Sequence, residues 1–370
     1  MTVRMANIVL VTVAFMVHHV LAGNRAWEPP HRNLKKRFVT DDPTQAEDTR
    51  WADKTIKYCW ESSEAESKLK NDLSAARDLW YSAGLGEEFQ MVKEDFITCS
   101  LKRNRQKWLM IRYNPDGLLA TTVGHPKIDA RQDDGEGGPV MHLSDSVQVG
   151  LLDRVPNYAH EIGHAWGLWH EHQNELYWEP PFSTKEGTLW GQQIEGAGGT
   201  LNTFHCENLK DYQDALVKIR AINPLQEELI CVRRNIAGQK GVRFSALDYL
   251  PLSPVEHFRV QEGHMRSRGE ADVDWDSIML YPSGAGGLGD VPIPAEGEPP
   301  LDLVTQDPRL PILTKSDGSR FGSTRRPSTL DVKGIHELYG IKRPKAVLHQ
   351  DKTSKFFDPF KKMIKSQRCR

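Results

Sequence analysis

An α+β fold follows from three features of this 370-residue chain. Short apolar runs bounded by turn residues cluster before residue 145, two segments in the first half carry helical spacing, and residues 282 to 327 form a long Pro- and Gly-rich stretch. No internal repeat is found, and no apolar run is long enough to span a bilayer.

TIKYCW (55–60) reads as the first strand. Ser62 or Ser63 then caps a helix whose apolar residues Leu69, Leu73, Ala76 and Trp80 recur at helical spacing, and Gly84 ends it. WLMIRY (108–113), LATTVG (119–124) and PVMHLS (139–144) predict further strands. The intervening loop QDDGEGG reads as a solvated glycine turn, because the rest of a twelve-residue calcium-ligand pattern is missing. Asp153 with Pro156 marks a second helix start, and Leu209, Tyr212, Leu216 and Ile219 mark a helical patch further on.

The N-terminus has an address. Arg4 precedes a mostly apolar stretch from Ile8 to Val17, with small residues at Val20-Leu21-Ala22, so residues 1–23 read as a secretory signal peptide rather than a buried helix. The tribasic Lys35-Lys36-Arg37 then suggests processing, which would make 24–37 a short propeptide; a solvated charge run is the plain alternative. Secretion favours cysteine pairing. Of Cys59, Cys99, Cys206, Cys231 and Cys369, the pairs close in sequence are Cys59 with Cys99 and Cys206 with Cys231, leaving Cys369 over, although spacing alone does not assign partners. There is no Cys-x-x-Cys and no Asn-x-Ser/Thr.

The net charge of −2 hides an asymmetry. Residues 341–370 carry ten Lys and Arg against two Asp, while the rest carries 38 basic and 48 acidic residues, so the C-terminal segment reads as a basic appendage. No nucleic-acid partner is expected from it, and a salt-sensitive surface role is a minor alternative.

The chemistry lies in HEIGHAWGLWHEH (160–172). On a helix His160 and His164 project from one face a single turn apart, so two imidazoles can converge on one zinc at about 2.0–2.1 Å. Were the helix to continue, His170 would lie about 9 Å further along the axis, out of reach. The chain must therefore fold back, and Gly167 is the residue able to end the helix in the left-handed region. Glu161 would flank the ion and accept a proton from water. From average residue frequencies, the five fixed positions of H-E-x-x-H-x-x-G-x-x-H occur by chance in about one chain in tens of thousands, which sets this motif well above a lone H-E-x-x-H.

SIMLY (277–281) adds a downstream Met turn. The long histidine motif with such a turn resembles the metzincin zinc peptidases, and HEIGHAWGLWHE with SIMLY resembles the astacin family within them. STLDVKGIHELYG (328–340) resembles the closing helix of that family's catalytic domain, and TRWADKTIKYCW its opening, so the resemblance spans roughly 49–340. It implies a zincin/metzincin fold, with an N-terminal twisted mixed sheet, two long helices, and a largely irregular C-terminal subdomain ending in a helix. It implies one Zn2+ held by His160, His164 and His170, Glu161 as general base, Met279 as a packing floor, and Tyr281 as an oxyanion donor that ligates zinc at rest. It also implies that Glu171 engages the mature N-terminus.

Two departures stand out. An insertion at about 173–270 lies between His170 and Met279, and Phe38-Val39-Thr40-Asp41 only half matches the family's inhibitory Phe-x-Gly-Asp.

The expected protein is thus a secreted, monomeric zinc metalloendopeptidase with its catalytic domain at 38–340, acting on extended peptides laid along an edge strand, for which PVMHLS is the candidate. His142 and His172 have no expected catalytic role. A catalytically inactive peptide- or matrix-binding protein on the same scaffold is the alternative.

Overall fold

The computed structural model describes residues 21–23, 50–125, 138–174, 177–178, 190, 203–251, 273–295 and 297–341. The predicted tribasic site, the Phe38 stretch, most of the QDDGEGG loop, the basic tail beyond Ile341, Cys369 and the first twenty residues of the signal segment lie outside them.

One mixed sheet organises the N-terminal half. Its strands are β1 (Leu21–Gly23), β2 (Thr55–Trp60), β3 (Gln90–Lys93), β4 (Leu109–Tyr113), β5 (Ala120–Thr122) and β6 (Val140–Leu143), in the order β1-β5-β6-β4-β2-β3. β3, β2, β4 and β6 run parallel; β5 is antiparallel to β6, and β1 antiparallel to β5. The predicted strands all form, but the expected edge is wrong. β6 is flanked on both sides, by β4 and β5; β5 has Leu21–Gly23 paired along its outer side, and β3 ends the sheet on the opposite side. β3 and the short helices α2 (Phe96–Ser100) and α3 (Lys102–Arg105) carry no sequence signal; none of the four β3 residues is buried, so β3 shows no apolar alternation.

Two helices cover one sheet face. α1 (Ser63–Ser82) starts at Ser62, whose hydroxyl accepts from Ala65 N, and buries Leu69, Leu73, Ala76 and Trp80. Burying a leucine of this kind contributes roughly 1.5–3 kcal/mol. This stripe packs on α4 (Arg154–Trp166), and the Trp80 indole N–H donates to Ala159 O at 2.8 Å, fastening one helix to the backbone of the other.

The second half builds its own core. α5 (Tyr212–Ile222), α6 (Arg234–Ala237) and the 3-10 turn Ser245–Asp248 gather Trp178, Trp190, Phe204, Leu216, Ile219, Phe244 and Tyr249, all buried, around the Cys206–Cys231 disulfide. The other disulfide joins Cys59 of β2 to Cys99 of α2, so both pairings expected from spacing are present. α7 (Thr329–Leu338) closes the described chain behind a capping box of Ser328 and Asp331. No helix of the described residues is long and apolar enough to cross a membrane.

Candidate metal centre

α4 begins at Asp153, whose carboxylate accepts from Val155 N, and ends at Gly167, which has φ +104°. Gly167 N donates to His164 O and Leu168 N to Gly163 O, the reciprocal pair of a Schellman turn. A side chain at 167 would be strained by that φ, and its Cβ would sit 2.7 Å from Leu338 Cδ2. The turn does two things. It sends the chain back so that His170 faces the helix, and it aims Leu168 O at His164 Nδ1, 2.7 Å away.

The three imidazoles meet. His164 Nε2 lies 3.0 Å from His160 Nε2 and 3.1 Å from His170 Nε2, and one ligating nitrogen from each residue falls within 4.8 Å of the others. Every Nδ1 faces an acceptor: Ile278 O for His160 at 2.7 Å, Leu168 O for His164, and Gln173 Oε1 for His170 at 3.1 Å. Each Nδ1 therefore carries the proton and each Nε2 presents its lone pair. Burial holds the rings neutral, His160 down to about 4, His164 and His170 well below their usual value by burial and then by one another. Three inward lone pairs at such separations repel unless a cation lies between them. The donor set thus fits a divalent ion that takes imidazole nitrogen, with room for a further ligand.

Glu161 is 2% exposed, and its Oε2 has no hydrogen-bond partner. Burial pushes its carboxyl up to about 8, opposed in part by the nearby Thr121 hydroxyl of β5. The two groups are close without hydrogen-bonding geometry, since Thr121 Oγ1 also lacks a partner. A dication held by the neighbouring imidazoles would favour the carboxylate form instead. Glu161 and His160 share a cavity with Tyr281, walled by Leu119, Leu151, Pro282 and Ala285.

The Met turn supports the centre from below. Met279 is 2% exposed, and a Cβ on Gly163 would fall 2.4 Å from Met279 Sδ, so this helix face must be bare for the thioether to reach it. Two successive carbonyls of the turn are taken by the motif: Ile278 O by His160 Nδ1, and Met279 O by Glu171 N at 3.0 Å. The turn is itself held by α7, because the Asp331 carboxylate accepts from Ser277 Oγ at 2.6 Å and Ile278 N at 2.9 Å as well as from Ser328 N. In the sequence Asp331 stands only within STLDVKGIHELYG, where no role is read for it.

Tyr281 packs its ring 4.2 Å from His170 and 5.5 Å from His160. Burial raises its phenol well above 10, so it stays a proton donor. Glu171, buried, accepts from Tyr177 Oη at 2.8 Å and from Asp274 N at 3.2 Å; the N-terminal residues expected to meet it lie outside the described chain. His172 stacks on His170 at 5.0 Å and binds Asp248 O through Nε2 at 2.7 Å, a packing role as expected. His142, on β6, is held neutral by burial, its value lowered to about 4.

No protein-family model matches the chain, and no curated protein matches it. Among solved structures it is similar to that of myroilysin, at 12% identity and a TM-score of 0.32, with 80% of this chain and 97% of that chain covered.

Proposed function

We propose that the protein is a zinc-dependent endopeptidase of the metzincin kind, similar to the astacins, that acts outside the cell on extended peptide segments. The observation carrying this reading is the convergence of three neutral Nε2 lone pairs beside a buried, unpaired carboxylate. His160, His164 and His170 would hold the ion. When bound, zinc supplies a Lewis acid that polarises a carbonyl and makes water a competent nucleophile near neutral pH.

The chain's own groups do the rest. Glu161 takes the proton as the water oxygen bonds to the scissile carbonyl carbon, then passes it to the amine as the C–N bond breaks. The Tyr281 hydroxyl donates to the developing oxyanion, an interaction worth on the order of 10²-fold or more. Substrate backbone would pair with β5, the strand beside Glu161, in the place that Leu21–Gly23 takes in the structure. Removal of the segment ending at Gly23, as signal-peptide cleavage would do, opens that edge. The two disulfides suit an oxidising compartment.

The test is a pair of measurements. Glu161→Gln should retain zinc and lose at least about 10²-fold in peptide cleavage, and chelation should abolish casein cleavage by the parent with recovery on adding zinc. Full cleavage by Glu161→Gln, or cleavage indifferent to chelation, would overturn the reading; intact zinc binding with no cleavage of any peptide would favour the inactive binding protein.

A further inference from the structure

Two of the three candidate ligands are oriented by backbone, since Ile278 O and Leu168 O accept from His160 and His164 at 2.7 Å. His170 differs: its Nδ1 depends on a side chain, Gln173 Oε1. A primary amide can flip, and a flipped Gln173 would face His170 with donors. That would force the proton onto Nε2 and remove the lone pair directed at the metal position.

The flip is decided at the amide's other end. Gln173 Nε2 faces two carbonyl oxygens, Leu247 O at 3.3 Å and Leu250 O at 3.5 Å, neither of which can donate. The oxygen must therefore point to His170. Leu247 lies in the 3-10 segment Ser245–Asp248 and Leu250 just after it, where Ala246, Leu247, Tyr249 and Leu250 are all buried in the second core. Arg234 Nη1 donates to the same two carbonyls, and His172 Nε2 meets Asp248 O between them. Gln173 is 3% exposed, so bulk solvent does not reach either partner.

We infer that Gln173 is a positioning residue for the metal: it fixes the tautomer of His170, and the insertion's 247–250 carbonyls fix Gln173. The long insertion then serves as outer support for the third ligand. The inference rests on the zinc-binding reading above.

Zinc affinity measured by competition with a chromophoric chelator, and the visible spectrum of the cobalt-substituted protein, test it on the full chain. Gln173→Met keeps the volume but has no amide; zinc affinity should fall about 10- to 100-fold and the cobalt bands should shift. Gln173→Glu should keep affinity within about threefold and restore the parent spectrum, because a carboxyl oxygen in place of the amide oxygen still accepts from His170 Nδ1. A purely structural role would lower stability in both variants without separating them.

Parent-like affinity and spectrum in Gln173→Met would overturn the inference, while absence of zinc binding by the parent itself would instead remove the peptidase reading. Should Gln173→Met not fold, nitrogen NMR of the imidazoles in the unaltered, metal-free protein decides: a proton on His170 Nδ1 supports the inference, and a proton on Nε2 refutes it.

Discussion

Gly167→Ala puts the fold-back of the motif to a quantitative test. The position has φ +104°, where an L side chain costs about 1–2 kcal/mol. The new Cβ would also meet Leu338 Cδ2 at 2.7 Å, so the end of that side chain must shift within its packed surroundings, and overpacking of this kind costs typically about 1–3 kcal/mol. Restricting the unfolded chain returns about 0.4–1 kcal/mol. The net expectation is a loss of roughly 2–3 kcal/mol. Urea unfolding of chelator-treated protein, followed by tryptophan fluorescence, reads this as a lower midpoint at unchanged slope. Gly340→Ala is the control: its φ is +69° and a Cβ there meets nothing within 4 Å, so only the left-handed cost applies. Equal losses at 167 and 340, or a loss under about 0.5 kcal/mol at 167, would refute the claim that Leu338 and the turn geometry together demand glycine.

Other expectations follow from particular contacts. Asp331→Ala removes the acceptor from Ser277 Oγ, Ile278 N and Ser328 N, three groups in the buried Met-turn junction, and should cost about 3 kcal/mol or more. It should also weaken zinc retention, since Ile278 O holds His160; unchanged stability and unchanged chelator competition would remove Asp331 from this role. A bound peptide inhibitor should slow amide exchange in Ala120–Thr122 of a form beginning after Gly23; protection confined to other strands would displace the substrate edge from β5. His142 is lowered to about 4 in the fold, so the unfolded chain binds the extra proton between about pH 4 and 6.5 and stability rises with pH across that window. His142→Gln should flatten the slope by up to about 1.4 kcal/mol per pH unit, and parallel pH profiles of the two proteins would contradict the burial of this ring.

What could be read from residue order alone is what depends on short chain separations. His160 and His164 share a helix face because four residues make one turn, and Gly167 must break the helix for His170 to return. The amphipathic stripe of α1 is equally local. Tertiary structure alone decided three further matters. Strand order put β6 inside the sheet, between β4 and β5, because pairing of non-consecutive strands depends on which faces pack together and leaves no periodic mark in the chain. β3 has no fully buried residue; it pairs in parallel with β2 and packs Met91 against the core. The Nδ1 acceptors came from Ile278, 118 positions from His160, and from a glutamine whose orientation is set by carbonyls 74 and 77 positions beyond it. Backbone carbonyls are common to every residue, so no side-chain pattern can announce which of them a folded chain will bring to an imidazole.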